Sequence, residues 1–302
     1  MFRQFILSGV AVAASTLTLL GQALDLEFTH AEGMEKGKSP AKGVLIDDEG
    51  TLATVAVYGT DPHKAFWVDS TGKEVALTLL AHDEVSRITL LKVPKPVSEG
   101  KKVVKQMGES SDLVPAAALT TDLETKGGVS RLVSKVKRFD GKVLPLTLMR
   151  VAHTKEGVMP GTPLFDEKGD LVGLAHEAVV SQKSNTYALP VEALKHILAI
   201  SNDAGKDKEG VVKRCWVGLA LDAQSDSPVV TGVRPESPAR KAGIIKGDII
   251  LSVAGENVAE YADVVDSFYY MQPKKAVTFK VLRGTEVKEF SVVPEVNPLF
   301  KE

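Results

Sequence analysis

The stretch that decides the fold runs from Val158 to Leu174 and reads VMPGTPLFDEKGDLVGL. Its proline and glycine residues predict a tight loop at the start, because both residue types favour turns over regular structure. The Asp-Glu-Lys-Gly sequence at 166–169 predicts a turn, and the apolar run that follows is typical of a strand. We therefore predict a loop, a turn and a strand in this order.

The same strand-like pattern extends outward from this stretch. Short β-branched or alternating runs, separated by turn signals, recur between Lys42 and Lys195. Examples are GVLID, TLATVAVY and ITLLKV. Short strands at such spacing indicate a sandwich or a barrel and argue against alternating βαβ units. One helix is predicted at 190–200, with proline in its first turn and apolar residues at helical spacing.

The length of 302 residues exceeds the usual size of one domain, so we expect at least two compact units. A polar, glycine-containing segment after the predicted helix is typical of a linker. The predicted divisions are a signal peptide at 1–23, an N-terminal segment at 24–41, a first domain at 42–200, a linker at 201–213, a second domain at 214–294 and a C-terminal tail at 295–302.

The first residues predict export. Arg3 precedes an apolar run from Phe5 to Leu20, and small residues follow at Gly21 and Ala23, which is the pattern of a secretory signal cleaved after Ala23. The alternative is a membrane anchor, but the run carries Ser and Thr and is shorter than the roughly 20 residues that span a bilayer. We therefore expect a periplasmic or extracellular protein without a stable membrane span.

Net charge and residue composition argue against several classes of ligand, namely nucleic acids, anionic membranes and metal ions. A net charge of −2 gives no bulk attraction to nucleic acid or to an anionic membrane. The sequence has no HExxH motif, no paired cysteines and no close histidine pair, so we expect no metal and no other cofactor. The single cysteine, Cys215, is expected to be a small buried hydrophobic residue, and a reactive thiol is the alternative.

The loop at 158–164 resembles the nucleophile loop of trypsin-like serine proteases of the HtrA/Deg type, which reads Gly-Asn-Ser-Gly-Gly-Pro-Leu. The matching residues are Gly161, Pro163, Leu164, Gly169, Gly173 and the Tyr-Ala-Leu-Pro sequence at 187–190. The resemblance places Pro160 where the family has its nucleophilic serine. Val158 and Met159 then replace the preceding glycine and asparagine.

Two further motifs of the family have similar counterparts upstream. The strand that carries the general base resembles Gly50–Tyr58 and places Val57 at the histidine position. The segment that carries the aspartate resembles Asp83–Lys92 and places Arg87 at that position. The resemblance thus implies a trypsin-like double β-barrel over 42–200 in which all three triad positions are substituted.

The chemistry of the triad shows what these substitutions imply. Serine attack needs a hydroxyl, a base to accept its proton and a carboxylate to orient that base. Val57 cannot accept a proton, Arg87 has the wrong charge, and Pro160 has no N–H for the oxyanion hole. We predict a pseudoprotease. The alternative is a displaced active site, built from Thr162 and one of His63, His82, His153 and His176, of which His63 and His82 are expected to be solvated loop residues.

Residues 214–294 resemble a PDZ domain, an α+β fold with a partly open barrel and two helices. The resemblance rests on Trp216–Leu219, Val233–Val258, a helical stretch at Tyr261–Met271 and a strand at Ala276–Arg283. It implies that a peptide carboxylate binds the N–H groups of the loop and that the peptide pairs with the following strand. The predicted binding residues are Trp216, Val217, Gly218 and Leu219 in the loop and Val265 and Phe268 on the helix, of which one of the two helical residues is expected to pack in the core instead.

Three functions follow from these observations. The first is an exported, inactive HtrA-like protein that binds peptides or protein C-termini and acts as a scaffold, adaptor or chaperone-like factor. The second is a serine-type endopeptidase with a displaced site. The third is a regulatory subunit that assembles with an active HtrA-type protease, or with itself.

Overall fold

The computed structural model describes residues 23–121, 130–154, 158–176, 185–204, 210–225 and 227–297. The predicted signal peptide lies outside these residues except for Ala23. The predicted mostly-β fold is confirmed: nearly all regular structure is antiparallel strand, in two large sheets followed by three smaller ones.

The first sheet has seven strands in the order β5-β4-β1-β2-β3-β7-β6. Their bounds are β1 Ala23–His30, β2 Lys38–Leu45, β3 Thr51–Val55, β4 Thr60–Val68, β5 Glu74–Ala76, β6 Thr78–His82 and β7 Ile88–Lys92. Strand β1 alternates, with Leu24, Leu26 and Phe28 buried on one face. The predicted N-terminal segment at 24–41 is therefore not separate from the first domain, because β1 and the start of β2 lie within it and pair in this sheet. The polar residues of β1 alternate with the three buried apolar ones and lie on the opposite face.

The second sheet has six strands in the order β11-β12-β13-β10-β9-β8. Their bounds are β8 Ala118–Leu119, β9 Ser130–Phe139, β10 Lys142–His153, β11 Pro163–Phe165, β12 Leu171–Ala175 and β13 Asn185–Pro190. A short helix α1 at Lys95–Ser98 and a 3₁₀ turn at Ser110–Asp112 lie between the two sheets in sequence. Together the two sheets and the helix that follows them form the first unit, residues 23–204.

Helix α2, Val191–Ala204, follows β13 and packs against β12 and β13. It buries Val191, Leu194 and Ile197, which recur at helical spacing. The helix predicted at 190–200 is thus present, and it begins after Pro190. It also continues four residues into the segment predicted as a linker, because nothing in 201–204 breaks the helix.

The stretch at 158–174 forms the predicted loop, turn and strand. Gly161 has φ +78°, and a Cβ atom there would lie 1.9 Å from the Lys42 carbonyl oxygen, so only glycine fits where this loop crosses β2. The turn at 166–169 joins β11 to β12, and its Asp166 carboxylate accepts the N–H groups of Lys168 and Asp170. All five residues of β12 are buried.

The second unit, residues 214–297, contains eight short strands and two helices. The strands are β14 Cys215–Trp216, β15 Leu219–Leu221, β16 Val230–Val233, β17 Ile249–Val253, β18 Glu256–Asn257, β19 Val277–Arg283, β20 Glu286–Val292 and β21 Glu295–Val296. The helices are α3 Pro238–Ala242 and α4 Tyr261–Tyr269. Strand β21 pairs with β14, so the first residues of the predicted tail belong to this unit.

Helix α3 shows how local sequence sets local structure here. The Ser237 hydroxyl accepts the Arg240 N–H at the start of the helix, Pro238 occupies the first turn, and Gly243 ends the helix with φ +97°. These are the roles that serine, proline and glycine favour at helix termini. The short helix closes one side of a core that includes Val217, with Phe279 at its centre.

Candidate functional site

The residues that the sequence places at the base and carboxylate positions are in direct contact. The Arg87 guanidinium donates from Nη2 to the Val57 carbonyl oxygen at 2.7 Å and from Nε to the Ala56 carbonyl oxygen at 3.2 Å. Val57 is 7% exposed and belongs to the core of the first sheet. Arg87 is therefore engaged with backbone, and neither Val57 nor Arg87 can supply the base or the carboxylate of a triad.

The loop that carries Pro160 meets the same region from the second sheet. The Pro160 carbonyl oxygen accepts the Lys42 N–H at 2.8 Å, and the Gly161 N–H donates to the Ala175 carbonyl oxygen at 2.7 Å. A Cβ atom on Gly161 would lie 2.6 Å from the hydroxyl of Thr54, three residues before Val57. The structure thus brings the segments of Val57, Arg87 and Pro160 together where the two sheets meet.

The backbone N–H groups of this loop differ from those of an oxyanion hole. Trypsin-like enzymes use the N–H of the nucleophile and the N–H of the residue two positions before it. Pro160 has no N–H. The Val158 N–H, at the second position, donates to the Thr186 hydroxyl at 3.3 Å. Neither position presents a donor to a substrate.

A buried polar network lies behind this loop. His153 contacts the Ser130 hydroxyl through Nδ1 and the Thr186 hydroxyl through Nε2, both at 2.9 Å. Ser130 and Thr186 are almost fully buried, as is His153. Because both ring nitrogens are occupied by buried hydroxyl groups, His153 is held as a structural residue, and Ser130 is closed off from solvent.

The remaining candidates for a displaced site do not meet. Thr162 is fully buried, and within the described residues its hydroxyl has no hydrogen-bond partner. His63 is exposed in β4, and His176 follows β12. His82 was expected to be solvated, which is wrong: it ends β6, is 3% exposed and bonds the Thr89 hydroxyl. Burial, with the nearby charge of Arg87, lowers the pKa of His82 to about 4.

Cys215 is a half-buried residue of β14 that packs beside the core of the second unit. Its Sγ donates to the Met271 carbonyl oxygen at 3.3 Å. Burial raises the pKa of the thiol to about 12. Because the thiolate is the reactive form, this cysteine is a weak nucleophile, as the sequence predicted.

In the loop at 216–219 of the second unit the carbonyl groups are bonded to the domain, whereas in the loop at 158–162 the N–H groups are. The Val217 carbonyl oxygen accepts the Ala239 N–H at 3.0 Å, and the Gly218 carbonyl oxygen accepts the Arg234 N–H at 2.9 Å. In a trans peptide the carbonyl and the next N–H point in opposite directions. The N–H groups of Gly218 and Leu219 therefore point away from the domain.

Glycine is required for this geometry. Gly218 has φ +79°, and a Cβ atom there would lie 2.2 Å from Ser237 Cβ and 3.0 Å from a ring carbon of Trp216. Among the described residues, the N–H groups of Val217 and Gly218 have no hydrogen-bond acceptor. The loop therefore presents unpaired donors beside the indole of Trp216, an arrangement that suits a carboxylate.

Strand β15 and helix α4 pack on the same core, to which Leu219 and Phe268 contribute, and we expect them to be the two walls of a peptide groove. Strand β15 pairs with β16 on one side, and no strand of the described residues pairs with its other edge. On helix α4, Phe268 packs against Phe279 with ring centroids 6.2 Å apart and belongs to the core, whereas Val265 is half-buried outside that cluster. An open strand edge beside a helix can accept an extended peptide.

Comparison with known proteins agrees with this architecture. Residues 216–293 match the PDZ domain family. The solved HtrA-type protease AlgW with a bound tripeptide superposes with a TM-score of 0.67 at 17% identity, covering 94% of this chain and 96% of that one. The chain has an HtrA-type fold. The predicted trypsin-like domain and PDZ domain are thereby confirmed as folds.

Sequence relatives give the same picture. The serine protease HTRA1 of Xenopus tropicalis is 24% identical over 84% of this chain and 59% of its own length. A probable periplasmic DegP-like serine endoprotease of Pseudomonas putida is 26% identical over 78% of this chain and 51% of its own length. The chain thus spans between half and three fifths of these HtrA-type relatives.

No helix among the described residues is long and apolar enough to cross a membrane. Within the same residues, no group of three or more histidine, cysteine, aspartate or glutamate side chains could hold a metal ion.

Proposed function

We propose that this chain is an exported HtrA-type protein that binds peptides or protein C-termini through its PDZ domain and does not cleave them. The observation that carries the proposal is the loop at 216–219, whose Gly218 and Leu219 N–H groups point outward beside the open edge of β15. Such a loop recognises a terminal carboxylate, while the strand edge takes up the preceding residues by β-augmentation.

Specificity for an apolar last residue follows from the groove wall. Val265 and the exposed part of Phe268 supply apolar surface on α4, and Trp216 flanks the loop. The HtrA-type protease AlgW was solved with a tripeptide and with a decapeptide, which supports peptide binding by a protein of this fold. The proposed ligands are thus extended peptides with a free carboxylate and an apolar end.

The substituted triad positions of the first unit support the proposed absence of cleavage. Valine, arginine and proline stand at the three triad positions, and the Val158 N–H is directed at Thr186. Loss of one oxyanion donor alone costs about 10²–10³-fold in rate in a serine protease. The relatives named as serine proteases are too distant for their activity to decide the matter, because function resides in the site and not in the fold.

Export is proposed from the first 23 residues and places the mature chain in the periplasm or outside the cell. The relatives that support it include proteins named as periplasmic.

The test uses the mature chain, residues 24–302. Treatment with a fluorophosphonate probe, read by intact mass, and incubation with casein should give no adduct and no cleavage. A library of short peptides that vary the last four residues should contain members that bind with a free carboxylate and fail to bind as C-terminal amides.

Three outcomes would contradict parts of the proposal. An adduct together with turnover that disappears in Thr162→Ala would establish a displaced active site. A library without any carboxylate-dependent binder would overturn peptide recognition. Co-purification with an active HtrA-type protease whose rate the chain changes would favour the regulatory subunit instead.

A further inference from the structure

Helix α4 lies between the proposed peptide groove and the first unit. Its outer face packs on β9 and β10 along its length. The polar contacts are Lys137 with Asp263, Arg138 with Glu260 and the Thr147 N–H with Asp266. One wall of the groove is therefore fixed to the first unit, residues 23–204, which we call the barrel domain, and is not a free part of the PDZ domain.

A single buried carboxylate lies at the C-terminal end of this contact. Asp83 is fully buried in the first unit, where its Oδ2 accepts the N–H of Ser86 at 2.9 Å. The same oxygen accepts from Arg214 Nη2 and from the Tyr269 hydroxyl, each at 3.1 Å. Two donors from the PDZ domain thus converge on one oxygen of the barrel.

Arg214 joins two parts of the groove. It lies two residues before Trp216, at the start of the loop at 216–219, which we call the carboxylate loop. Its Nη1 donates to the Tyr269 carbonyl oxygen at 3.0 Å, and its guanidinium carbon lies 4.0 Å from the centre of the Tyr269 ring. Tyr269 is the last residue of α4. The arginine therefore connects the loop to the end of the helix, and Asp83 holds the arginine.

The buried His196 faces this cluster and leaves the ion pair of Asp83 and Arg214 intact. The His196 ring lies 5.5 Å from the Tyr269 ring and 5.8 Å from the Tyr270 ring. Burial, with the positive charge of Arg214, lowers the pKa of His196 to about 4. At neutral pH this histidine is uncharged and does not compete with Arg214 for Asp83.

We propose that Asp83 of the barrel domain is a positioning residue for the peptide groove: through Arg214 and Tyr269 it fixes the distance and orientation of the carboxylate loop relative to α4. This inference rests on the proposed peptide binding. In this proposal the barrel domain does not cleave the peptide, but its Asp83 helps to position the residues that bind it.

The physical reason is preorganisation. Ordering a loop at the moment of binding reduces affinity, whereas a loop already held in its bound geometry avoids that cost. Removing the charge of Asp83 leaves the Arg214 guanidinium, only 15% exposed, without its counter-ion in a largely buried place. A buried ion left alone is strongly unfavourable, so Arg214 would move toward solvent and carry the start of the loop with it.

The test measures peptide affinity in Asp83→Asn, Arg214→Gln and the double variant. The background is Trp67→Phe, which leaves Trp216 beside the loop as the single tryptophan and a direct reporter. We expect each single variant to weaken binding of a carboxylate peptide about tenfold, a size typical of residues in one network. The double variant should be no weaker than either single one, because both remove the same interaction.

A matched control distinguishes the contacts of Asp83 with Arg214 and Tyr269 from other contacts between the two domains. Arg138→Ala removes an exposed ion pair between the same two domains, at the other end of α4. It should change the dissociation constant less than about twofold, as exposed pairs contribute little. Tyr269→Phe, which removes only a hydroxyl, is the second variant should Asp83→Asn fail to fold, and it should weaken binding by a smaller factor.

Hydrogen exchange can be measured without peptide at the Arg234 and Ala239 amides, because their N–H groups donate to the Gly218 and Val217 carbonyl oxygens and so hold the loop. Faster exchange in Asp83→Asn than in Arg138→Ala is expected. Unchanged affinity and unchanged exchange in a folded Asp83→Asn protein would overturn the inference. If the unmodified chain binds no peptide, the proposed function fails, while the exchange result still decides whether Asp83 holds the loop.

Discussion

The loop at 158–162 in the barrel domain and the loop at 216–219 in the PDZ domain both turn on a glycine with positive φ, yet their N–H groups end in different states. Around Gly161, φ +78°, one N–H is absent, one donates to Thr186 and one donates to Ala175. Around Gly218, φ +79°, the carbonyl groups are bonded to the domain and the N–H groups point outward.

The difference shows what an anion-binding loop requires. Backbone N–H groups recognise a carboxylate or an oxyanion whatever the side chains are, provided that no neighbouring acceptor takes them first. In the barrel, one proline and one threonine hydroxyl are enough to remove both donors. In the PDZ domain, α3 and the Arg234 N–H hold the carbonyl groups and so orient the donors. Two loops that both turn on a glycine with positive φ therefore differ in the donors that they offer to an anion.

The largest effect is expected from adding a Cβ atom to the PDZ loop. Gly218→Ala places that atom 2.2 Å from Ser237 Cβ in a left-handed conformation that costs an L-residue about 1–2 kcal/mol. The loop must shift, so we expect binding of carboxylate peptides to weaken by more than about tenfold, the effect of about 1.4 kcal/mol. Isothermal titration calorimetry measures the change.

Gly247→Ala is the matched control for this variant. Gly247 also has positive φ, but a Cβ atom there would meet no atom within 4 Å. The control should lose stability through backbone strain and keep its peptide affinity within about twofold, because strain without a clash leaves the loop in place. Equal losses of affinity in both variants would mean that the loop at 216–219 is not the binding site.

The second effect concerns pH and the barrel alone. The folded pKa of His82 is about 4, whereas an unfolded histidine titrates near 6.5. Between the two pKa values the unfolded chain takes up this proton and the folded chain does not, so the free energy of unfolding decreases as the pH falls from about 6.5 to about 4. At pH 5 this histidine should lower the stability of the barrel by about 2 kcal/mol relative to pH 7.

Urea unfolding between pH 7 and pH 4.5 checks this prediction. His82→Gln should show a shallower loss of stability with acid than the parent chain. His63→Gln, a change at an exposed histidine, should follow the parent. A parent chain whose unfolding midpoint stays constant over this range would contradict the burial of His82.

The smallest effect is expected from restoring the triad side chains in the barrel domain, because the loop at 158–162 would still lack an oxyanion-hole donor at Val158. The triple variant Val57→His, Arg87→Asp and Pro160→Ser restores the three side chains of the triad. The Val158 N–H would still be directed at Thr186, so we expect no casein cleavage above background and little probe adduct. Cleavage by this variant, in a protein shown by circular dichroism to be folded, would mean that the three side chains alone account for the proposed inactivity.

Much of the fold was predictable because local residues encode local geometry. The loop at 158–162 and the turn at 166–169 follow from proline and glycine, and α3 follows from Ser237, Pro238 and Gly243. Strand β1 was missed because its three buried apolar residues alternate with polar ones, which made the segment look polar overall. The outward N–H groups at 216–219 agree with the predicted binding loop, which remains a prediction until peptide binding is measured.

The cluster around Asp83 was beyond sequence reasoning. Asp83, Arg214 and Tyr269 are far apart in the chain, and each is ordinary where it stands. His82 was misjudged for a different, local reason: an aspartate beside it suggested a solvated loop, whereas His82 ends β6, pairs with Thr89 of β7 and is buried together with Asp83. Contacts between distant segments depend on how domains dock, which no spacing rule describes.

The most direct test of the account follows the amide signals of Val158, Gly218 and Leu219 by NMR in the mature chain during titration with a carboxylate peptide. We expect that the Gly218 and Leu219 signals shift with peptide and do not shift with its C-terminal amide, while the Val158 signal stays in place. Shifts at Val158, with Gly218 and Leu219 unmoved, would show that the barrel and not the PDZ domain binds the peptide.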